Sequence, residues 1–426
     1  MNLKKYVKES LKYFLRSYPF IKKYVKEIEE LYNMSEEELK LRNEERFLHI
    51  FHKAYEKSTF YRNLYSDAGI EITDINSLND IKKLPVINKD MVKANINGIM
   101  TVPKWRLVSA HTSGTTGTPL TVYESWDALW REQAYFYCYR KRCGFKYGES
   151  LASLRGNLGK ADTTMYVHVA HTLYLSSFNI IPSTVEEYYK ALCKYNPKAI
   201  EGYPSSLYNL AMAFKDKGLQ VRIPICFTSS ETLMDFQRSL IEEVFCTQIY
   251  DHYGTTERTI RLSEHFDHDG YFEDPGYSIN EYGTYGQITT SLINDAFPLI
   301  RYETGDEIEM KDIRVWPNFI KRINGRFIDS IVGKDGTLYS DVALTFIFKD
   351  VKGVKYAQFI QKEKGHCLLN MVTNDEFTDA GEKHILDLLD EKVGLSNMDF
   401  ILKKINENEI IYTKRNKFKY VISEIK

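Results

Sequence analysis

Helical and strand patterns alternate along the middle of the chain, from about residue 125 to residue 260, and this alternation limits its folds more than any other feature. Apolar residues recur at helical spacing in four stretches. These predicted helices cover 125–142, 185–194, 205–216 and 235–245. Short apolar runs at 199–201 and 226–228 predict strands between them. Alternation of this kind is typical of an α/β core.

The rest of the chain predicts two further parts. Residues 270–325 are rich in Gly, Tyr and Thr and show few helical patterns, which favours a β-rich subdomain. Residues 330–426 predict an α+β domain. Its strands and helix are expected at 356–361, 367–373 and 379–393. Because 426 residues suffice for two or three domains, we expect a large N-terminal domain over 1–325 and a small C-terminal domain over 326–426.

Composition excludes several classes of protein. A net charge of -1 argues against a surface built to bind nucleic acid. The six cysteines form no C-x-x-C pair, so we expect neither a disulfide framework nor a zinc ribbon, and a reducing cytoplasm is the favoured location. No apolar stretch approaches the roughly 20 residues of a membrane span, and the N-terminus lacks the apolar core of a signal peptide.

A run of small polar residues at 111–119 reads His-Thr-Ser-Gly-Thr-Thr-Gly-Thr-Pro. Its glycines permit positive φ, and consecutive backbone N–H groups can form a concave nest for an anion. The spacing is not that of a Walker loop. The pattern predicts a phosphate-binding loop between two strands, the second near 120–123; a flexible linker or hairpin turn is the alternative.

This string resembles the signature loop of the adenylate-forming (ANL) superfamily, in which the loop holds the ATP phosphates. Residues 58–61, 84–85 and 202–206 also resemble the phenylacetate–CoA ligase branch with its CapK-like relatives. One difference is Leu120, where many members carry Lys. The resemblance implies nucleotide contacts from Thr112, Ser113, Gly114, Thr115, Thr116 and Gly117.

A second motif, at 250–257, reads Tyr-Asp-His-Tyr-Gly-Thr-Thr-Glu and resembles the family's Y-G-x-x-E. By that resemblance Tyr253 stacks on adenine, Thr256 contacts the α-phosphate and Glu257 ligates Mg²⁺, a cation that prefers hard oxygen ligands. Asp251 and Gly254 are assigned to the nucleotide site with them. The alternative is a glycine turn beside a surface glutamate.

Three shorter motifs complete the nucleotide site by resemblance. Asp306, in the string Tyr-Glu-Thr-Gly-Asp, is expected to accept both ribose hydroxyls. Arg326 is expected on ribose or phosphate, and Asp329 at the hinge of a mobile C-terminal domain. Ser230 and Glu231 follow a predicted strand and are expected beside the nucleotide. The alternative interpretation of the motifs at 301–306 and 325–329 is that they form capped turns on the surface.

The family's catalytic lysine is expected near the C-terminus. Lys417 matches it by position, with Asn416 where the family has Gly. Asn tolerates left-handed φ better than most residues, so the turn can persist. Lys414, Arg415 and Lys419 are the competing assignments, and a solvated charge run is the usual structure of such a tail.

On the substrate side, the sequence favours Tyr203, in the string Gly-Tyr-Pro-Ser-Ser, and His171 as a pocket residue. A scaffolding turn is the alternative for the first. Some relatives carry a structural zinc after the Y-G-x-x-E motif. No cysteine lies between 247 and 366 here, so no zinc site is expected.

The first 33 residues are basic and aromatic, which allows contact with an anionic membrane surface. A helix packed on the main domain, or a frayed terminus, is the alternative that we favour, because the stretch contains Pro19 and ends in acids. Beyond it, Ser35 and Glu38 have the spacing of a capping box, and Gly69 is the expected stop of the helical region that follows.

The resemblance implies an AMP-forming acid ligase that is phenylacetate–CoA ligase-like and cytoplasmic. Its expected cofactors are ATP and Mg²⁺, and its partners a small carboxylic acid and an acceptor thiol or amine, with CoA as the thiol. One alternative is an ATP-dependent amide ligase that joins an amino acid or amine to a sugar carboxylate in capsule polysaccharide biosynthesis. The other is a nucleotide-binding scaffold without turnover.

Overall fold

A computed structural model gives the fold in two compact units. It describes residues 3–111, 120–154, 158, 162–177, 179–283, 286–312, 319–326, 330–336, 338–340, 344, 346–348, 351–412 and 418–425. The first unit comprises Met1–Thr304 and Met310–Arg322, and the second Gly305–Glu309 and Ile323–Lys426. The chain passes between the units three times, after Thr304, Glu309 and Arg322, within a β-rich stretch.

The described part of the chain contains the following helices, and those predicted from apolar periodicity lie close to their expected positions. They are α1 (Leu3–Leu15), α2 (Tyr18–Leu31), α3 (Glu36–Lys57), α4 (Thr59–Asp67), α5 (Lys89–Ala94), α6 (Ile96–Ile99), α7 (Trp126–Arg142), α8 (Val185–Tyr195), α9 (Pro204–Asp216), α10 (Asp235–Phe245) and, in the second unit, α11 (Asp379–Lys392). The capping box at Ser35 is present and begins α3. That helix ends at Lys57, earlier than expected, because Ser58 caps a new helix, and Gly69 lies after α4 instead.

The strands fall into five sheets. They are β1 (Val108–His111), β2 (Thr121–Glu124), β3 (Leu151–Leu154), β4 (Thr164–Val167), β5 (Thr172–Leu175), β6 (Ala199–Gly202), β7 (Ile225–Ser229), β8 (Gln248–Gly254), β9 (Arg261–Glu264), β10 (Tyr271–Glu273), β11 (Ser278–Gly283), β12 (Gly286–Ser291), β13 (Tyr302–Glu303), β14 (Asp306–Asp312), β15 (Phe319–Arg326), β16 (Ser330–Val332), β17 (Leu338–Ser340), β18 (Val354–Glu363), β19 (His366–Thr373), β20 (Asp399–Lys404) and β21 (Val421–Ser423).

The largest sheet has the order β14-β15-β10-β9-β8-β7-β6-β3-β5-β4. Its central strands β8, β7, β6, β3 and β5 run parallel, with Gly202 paired to Thr228 and Thr228 to Asp251. Helices α8, α9 and α10 connect or follow these strands along the chain. The predicted α/β class is therefore confirmed, and the carboxyl ends of β6, β7 and β8 meet at one edge.

The N-terminal region is helical and packs on the first unit. Pro19 lies in the first turn of α2, where proline needs no N–H partner. Helix α2 buries an apolar face, including Tyr24 and Ile28, against α7 residues such as Tyr135. For α2, the prediction of a helix packed on the main domain is therefore confirmed. No described helix is long and apolar enough to cross a membrane.

The second unit contains a four-stranded sheet of order β20-β19-β18-β21. Its central pair, β18 and β19, is antiparallel, and β20 and β21 join it in parallel. Ile385 and Leu389 of α11 are fully buried. These strands and this helix lie where the sequence predicts the strands and the helix of an α+β domain.

Candidate active site

The carboxyl edge of the parallel strands gathers most of the motif residues that the structure describes. Tyr203 directly follows β6, and Ser230 and Glu231 follow β7. The motif at 253–257 covers the end of β8 and the turn after it. Open α/β sheets bind ligands at this edge, because strand ends and helix N-termini converge there.

Glu231 joins two motifs that lie apart in the sequence. Its carboxylate accepts hydrogen bonds from the backbone N–H of Ser205 at 2.9 Å and from the Ser205 hydroxyl at 3.1 Å. Ser205 lies in the first turn of α9, where free N–H groups favour an anion. The preceding Ser230 has φ +70, a strained conformation for a residue with a Cβ. This backbone conformation of Ser230 sets the direction in which the chain continues from the end of β7.

The turn after β8 is anchored to the β11-β12-β13 sheet. Gln287 on β12 donates to the Tyr253 hydroxyl at 2.9 Å. Tyr302 on β13 donates to the buried Glu257 carboxylate at 3.3 Å. Thr256, between them, is half-buried, and Gly254 is exposed. The aromatic ring and the carboxylate of the motif are thus both held by hydrogen bonds from a neighbouring sheet.

A buried network of ion pairs begins directly after this turn. Arg258 has φ +60 and lies 3.2 Å from the Glu124 carboxylate and 3.0 Å from that of Glu132. Arg261 is 1% exposed and pairs with Asp274 at 2.7 Å. Buried charges persist only when they are paired and hydrogen-bonded. No sequence motif marks this network, since its members come from β2, α7 and β9 and from the segments after β8 and β10.

Asp251 is placed inside the sheet, two residues before Tyr253. Its carboxylate is 5% exposed and accepts hydrogen bonds from the Thr228 hydroxyl at 2.6 Å and the Tyr271 hydroxyl at 2.7 Å. Burial, and then the nearby Glu264, raise the pKa of Asp251 to about 6. Both carboxylate oxygens are thus engaged by protein donors, and we assign Asp251 a supporting position in the strand.

His171 does not join the other residues. It is exposed, has φ +43, and precedes the first residue of β5, so it lies at the amino edge of the parallel strands. Its backbone carbonyl accepts from the Tyr195 hydroxyl at 2.5 Å. The prediction of a pocket role depended on the local sequence around His171, which does not tell one end of a strand from the other. We leave His171 out of the site.

The predicted phosphate loop is flanked by a described hairpin. β1 and β2 pair antiparallel, and His111 opposite Thr121 closes the hairpin. Leu120 is fully buried in a core cluster with Phe51 and Tyr61. The position that many relatives fill with lysine is therefore a core position here. The loop residues Thr112, Ser113, Gly114, Thr115, Thr116 and Gly117 lie outside the described residues.

The remaining predicted residues belong to the second unit, which we describe by itself. Asp306 begins β14, is buried, and follows Gly305 with φ +73, the left-handed turn that glycine favours. Arg326 ends β15, and its side chain lies outside the described part. Asp329 and Lys417 also lie outside the described residues.

The donors at the turn after β8 suit Mg²⁺. Glu257 offers a carboxylate, and Thr255 and Thr256 offer hydroxyl oxygens close by in the chain. Magnesium at nucleotide sites is commonly bound through one or two carboxylates together with substrate phosphates. Among the residues that the structure describes, no three His, Cys, Asp or Glu side chains cluster as an all-protein metal site. The Glu257 carboxylate with the two neighbouring hydroxyls is a donor set of the kind that such a metal uses.

Comparison with solved structures places this fold among adenylate-forming ligases. 2-Hydroxyisobutyryl-CoA ligase, in the postadenylation state with R3-HIB-AMP, aligns with a TM-score of 0.72 over 92% of this chain and 90% of that chain, at 16% identity. Anthranilate CoA ligase AuaEII with anthranoyl-AMP aligns with a TM-score of 0.51 over 80% and 73%, at 14% identity.

Sequence relatives define the branch more narrowly. The chain is 25% identical to protein CapK of Staphylococcus aureus over 96% of its own length and 94% of that protein. It is 24% identical to the phenylacetate-coenzyme A ligase of Thermus thermophilus over 65% of this chain and 67% of that enzyme. Residues 331–424 match the CapK C-terminal domain.

These findings confirm the resemblance drawn from the motifs. The chain is related to CapK and to the phenylacetate–CoA ligases, and it has the fold of adenylate-forming CoA ligases. They also support the predicted class of AMP-forming ligase.

Proposed function

We propose that the protein uses ATP to activate a carboxylic acid as an acyl-adenylate, with release of pyrophosphate, and then transfers the acyl group to an acceptor. The observation that carries this proposal is the meeting of Tyr203, Ser230, Glu231 and the turn at 253–257 at one edge of the parallel strands. The similarity to phenylacetate-coenzyme A ligases supports it independently.

In the first step an oxygen of the substrate carboxylate attacks the α-phosphorus, and the bond from that phosphorus to the bridging oxygen of pyrophosphate breaks. Backbone N–H groups and hydroxyls of residues 112–117 hold the departing phosphates. Tyr253 stacks on adenine, Thr256 contacts the α-phosphate, and Asp306 accepts hydrogen bonds from ribose. In the second step a nucleophile on the acceptor attacks the acyl carbon, and AMP leaves.

Negative charge moves among the phosphoryl oxygens during the first step. Magnesium, when bound at Glu257, supplies Lewis-acid stabilisation of that charge. Lys417 brings an ammonium group to the same oxygens, and Arg326 contacts ribose or phosphate. Preorganised charges of this kind stabilise a transition state more than the ground state. Asp329 is the hinge about which residues 326–426 move between the two steps.

The acceptor has two candidates. CoA thiol is favoured by the similarity to phenylacetate-coenzyme A ligases. An amine is compatible with the similarity to CapK over nearly the whole chain, and the reaction is then that of an amide ligase joining an amino acid or amine to a sugar carboxylate in surface polysaccharide biosynthesis. All six cysteines are unpaired thiols, which supports a reducing, cytoplasmic setting for either reaction.

A pyrophosphate-release screen tests the proposal. Aryl acids, short hydroxy acids, amino acids and uronic acids are each supplied with ATP and Mg²⁺, and active acids are then tested with CoA and with amines. We expect release with at least one acid, and loss of release in Glu257→Gln while the folded state persists. Glu243→Gln, at a surface ion pair with Lys215, is the matched control. ATP binding with no release from any acid class would instead support the non-catalytic scaffold.

A further inference from the structure

The outward face of α1 carries an apolar stripe. Val7, Leu11 and Phe14 are 55%, 56% and 59% exposed. Their spacing of four and three residues places them on one side of the helix. Single exposed apolar residues are ordinary, but an aligned row on a helix that is already packed marks a contact surface.

The inward face of the same helix is partly charged, which reverses the usual arrangement of a surface helix. Glu9 is only 8% exposed and pairs with Lys12 at 2.8 Å. A hydrogen bond with Glu9 also contributes to raising the pKa of Tyr174 on β5, where burial is the main cause. Tyr6 and Tyr13 pack inward against a small core cluster that includes Met165. Helix α1 is therefore held by tyrosines and a buried glutamate, while its aliphatic side chains face outward.

Aromatic rings extend the stripe across the first unit. Phe14 meets the edge of Phe20 on α2 at 5.5 Å between ring centroids, and Phe20 stacks on Trp130 of α7 at 5.7 Å. Trp130 lies 5.8 Å from Trp126, which is 39% exposed. The Trp130 indole N–H donates to the Leu15 carbonyl at 2.9 Å, so the end of α1 is fixed to α7.

Positive charge borders this surface. Lys8 and Lys23 are exposed, and Lys12 is 44% exposed at its side chain. Of the acids nearby, Glu9 is paired with Lys12, which leaves Lys8 and Lys23 as the main bordering charges, and Asp127 is engaged by Tyr24 and Arg131. Aliphatic and aromatic side chains bordered by lysine form the composition that lies in the interface of an anionic bilayer.

We propose that this surface, made of Val7, Leu11, Phe14, Phe20, Trp126 and Trp130 with the bordering lysines, docks the protein on an anionic lipid bilayer. The apolar side chains enter the boundary between headgroups and acyl chains, and the lysines lie over the lipid phosphates. The proposal does not depend on the ligase chemistry, since vesicle binding is measured separately from pyrophosphate release.

Flotation of the full-length protein with vesicles tests it. Vesicles of equal parts phosphatidylcholine and phosphatidylglycerol are compared with vesicles of phosphatidylcholine alone. We expect binding to the anionic vesicles that weakens with added salt. Leu11→Glu with Phe14→Glu should reduce partitioning at least about tenfold, and Lys8→Glu about fivefold or more. Ile401→Glu, a change at a residue 67% exposed on β20, is the matched control and should bind as the parent does.

Circular dichroism and thermal unfolding establish that each variant is folded. Equal binding to both vesicle types, or equal loss in the Ile401→Glu control, would overturn the proposal. So would absence of vesicle binding. In that case sedimentation tests the remaining occupant: a dimer that Leu11→Glu with Phe14→Glu converts to a monomer identifies a second copy of this chain, and a monomer throughout excludes one.

Discussion

At the scale of single residues, Glu231 connects two motifs that lie 26 positions apart. Glu231→Gln removes the charge at the α9 N-terminus and should lower the free energy of unfolding by about 1 kcal/mol, with a lower kcat/KM because the chain after β7 is less fixed. Ser205→Ala should give a similar loss, and the double variant little more than either, as urea unfolding and pyrophosphate release would measure. Additive losses would show that Glu231 acts outside this contact.

Asp251 makes the stability of the fold depend on pH. Its pKa of about 6 exceeds the usual value of 3.8, so the folded chain holds this proton more tightly than the unfolded chain. Its contribution is therefore fully present below about pH 4 and is lost as pH rises through 6, on the order of 3 kcal/mol in all. Asp251→Asn should remove this dependence. Between pH 4 and 7 the variant should therefore become more stable relative to the parent.

Urea unfolding at a series of pH values checks this expectation, and Asp295 supplies the control. Burial raises the pKa of Asp295, but Lys53 and Arg46 outweigh burial and lower it. Asp295 therefore stabilises the fold above its usual pKa, and Asp295→Asn should lose stability relative to the parent as pH rises. The same trend with pH in both variants would contradict the raised pKa of Asp251.

At the scale of elements, the β1–β2 hairpin is fixed to the core by Leu120. Leu120→Lys should lower the free energy of unfolding by at least about 3 kcal/mol, because a fully buried position would have to take an ammonium group. Leu120→Met should cost less than about 1.5 kcal/mol. Thermal unfolding measures both. A stable Leu120→Lys variant with a lower KM for ATP would mean that this side chain reaches the nucleotide instead.

The elements also show where sequence patterns are informative. Helices α7 to α11 are predicted to within one residue at each end, because their apolar faces and capping residues are local signals. The break after Lys57 was not predicted, since the apolar periodicity continues through Ser58 and only its capping bond to Tyr61 reveals the new helix. The position of His171 could not be predicted either, because strand direction depends on the whole sheet.

At the scale of the whole molecule, the alternation of helical and strand patterns was sufficient to predict the α/β class. The contacts among the motif residues and their neighbours were not predictable. The network of Arg258, Glu132, Arg261 and Asp274 joins elements far apart in the chain, and no spacing in the sequence marks it. The stripe on α1 was likewise hidden, because basic and aromatic composition does not tell which residues face outward. The tertiary packing decides which charges meet in the network and which residues of α1 face outward.

The two steps of the proposed reaction need different groups, and a change at Lys417 distinguishes them. Lys417→Ala should reduce adenylate formation by about a hundredfold or more, because its ammonium stabilises charge that develops only in the first step. Acyl transfer from a supplied synthetic acyl-adenylate should remain close to that of the parent. Pyrophosphate release measures the first step, and AMP release from the synthetic intermediate measures the second. Lys414→Ala is the control, and if it shows this pattern while Lys417→Ala does not, the catalytic lysine lies three residues earlier in the tail.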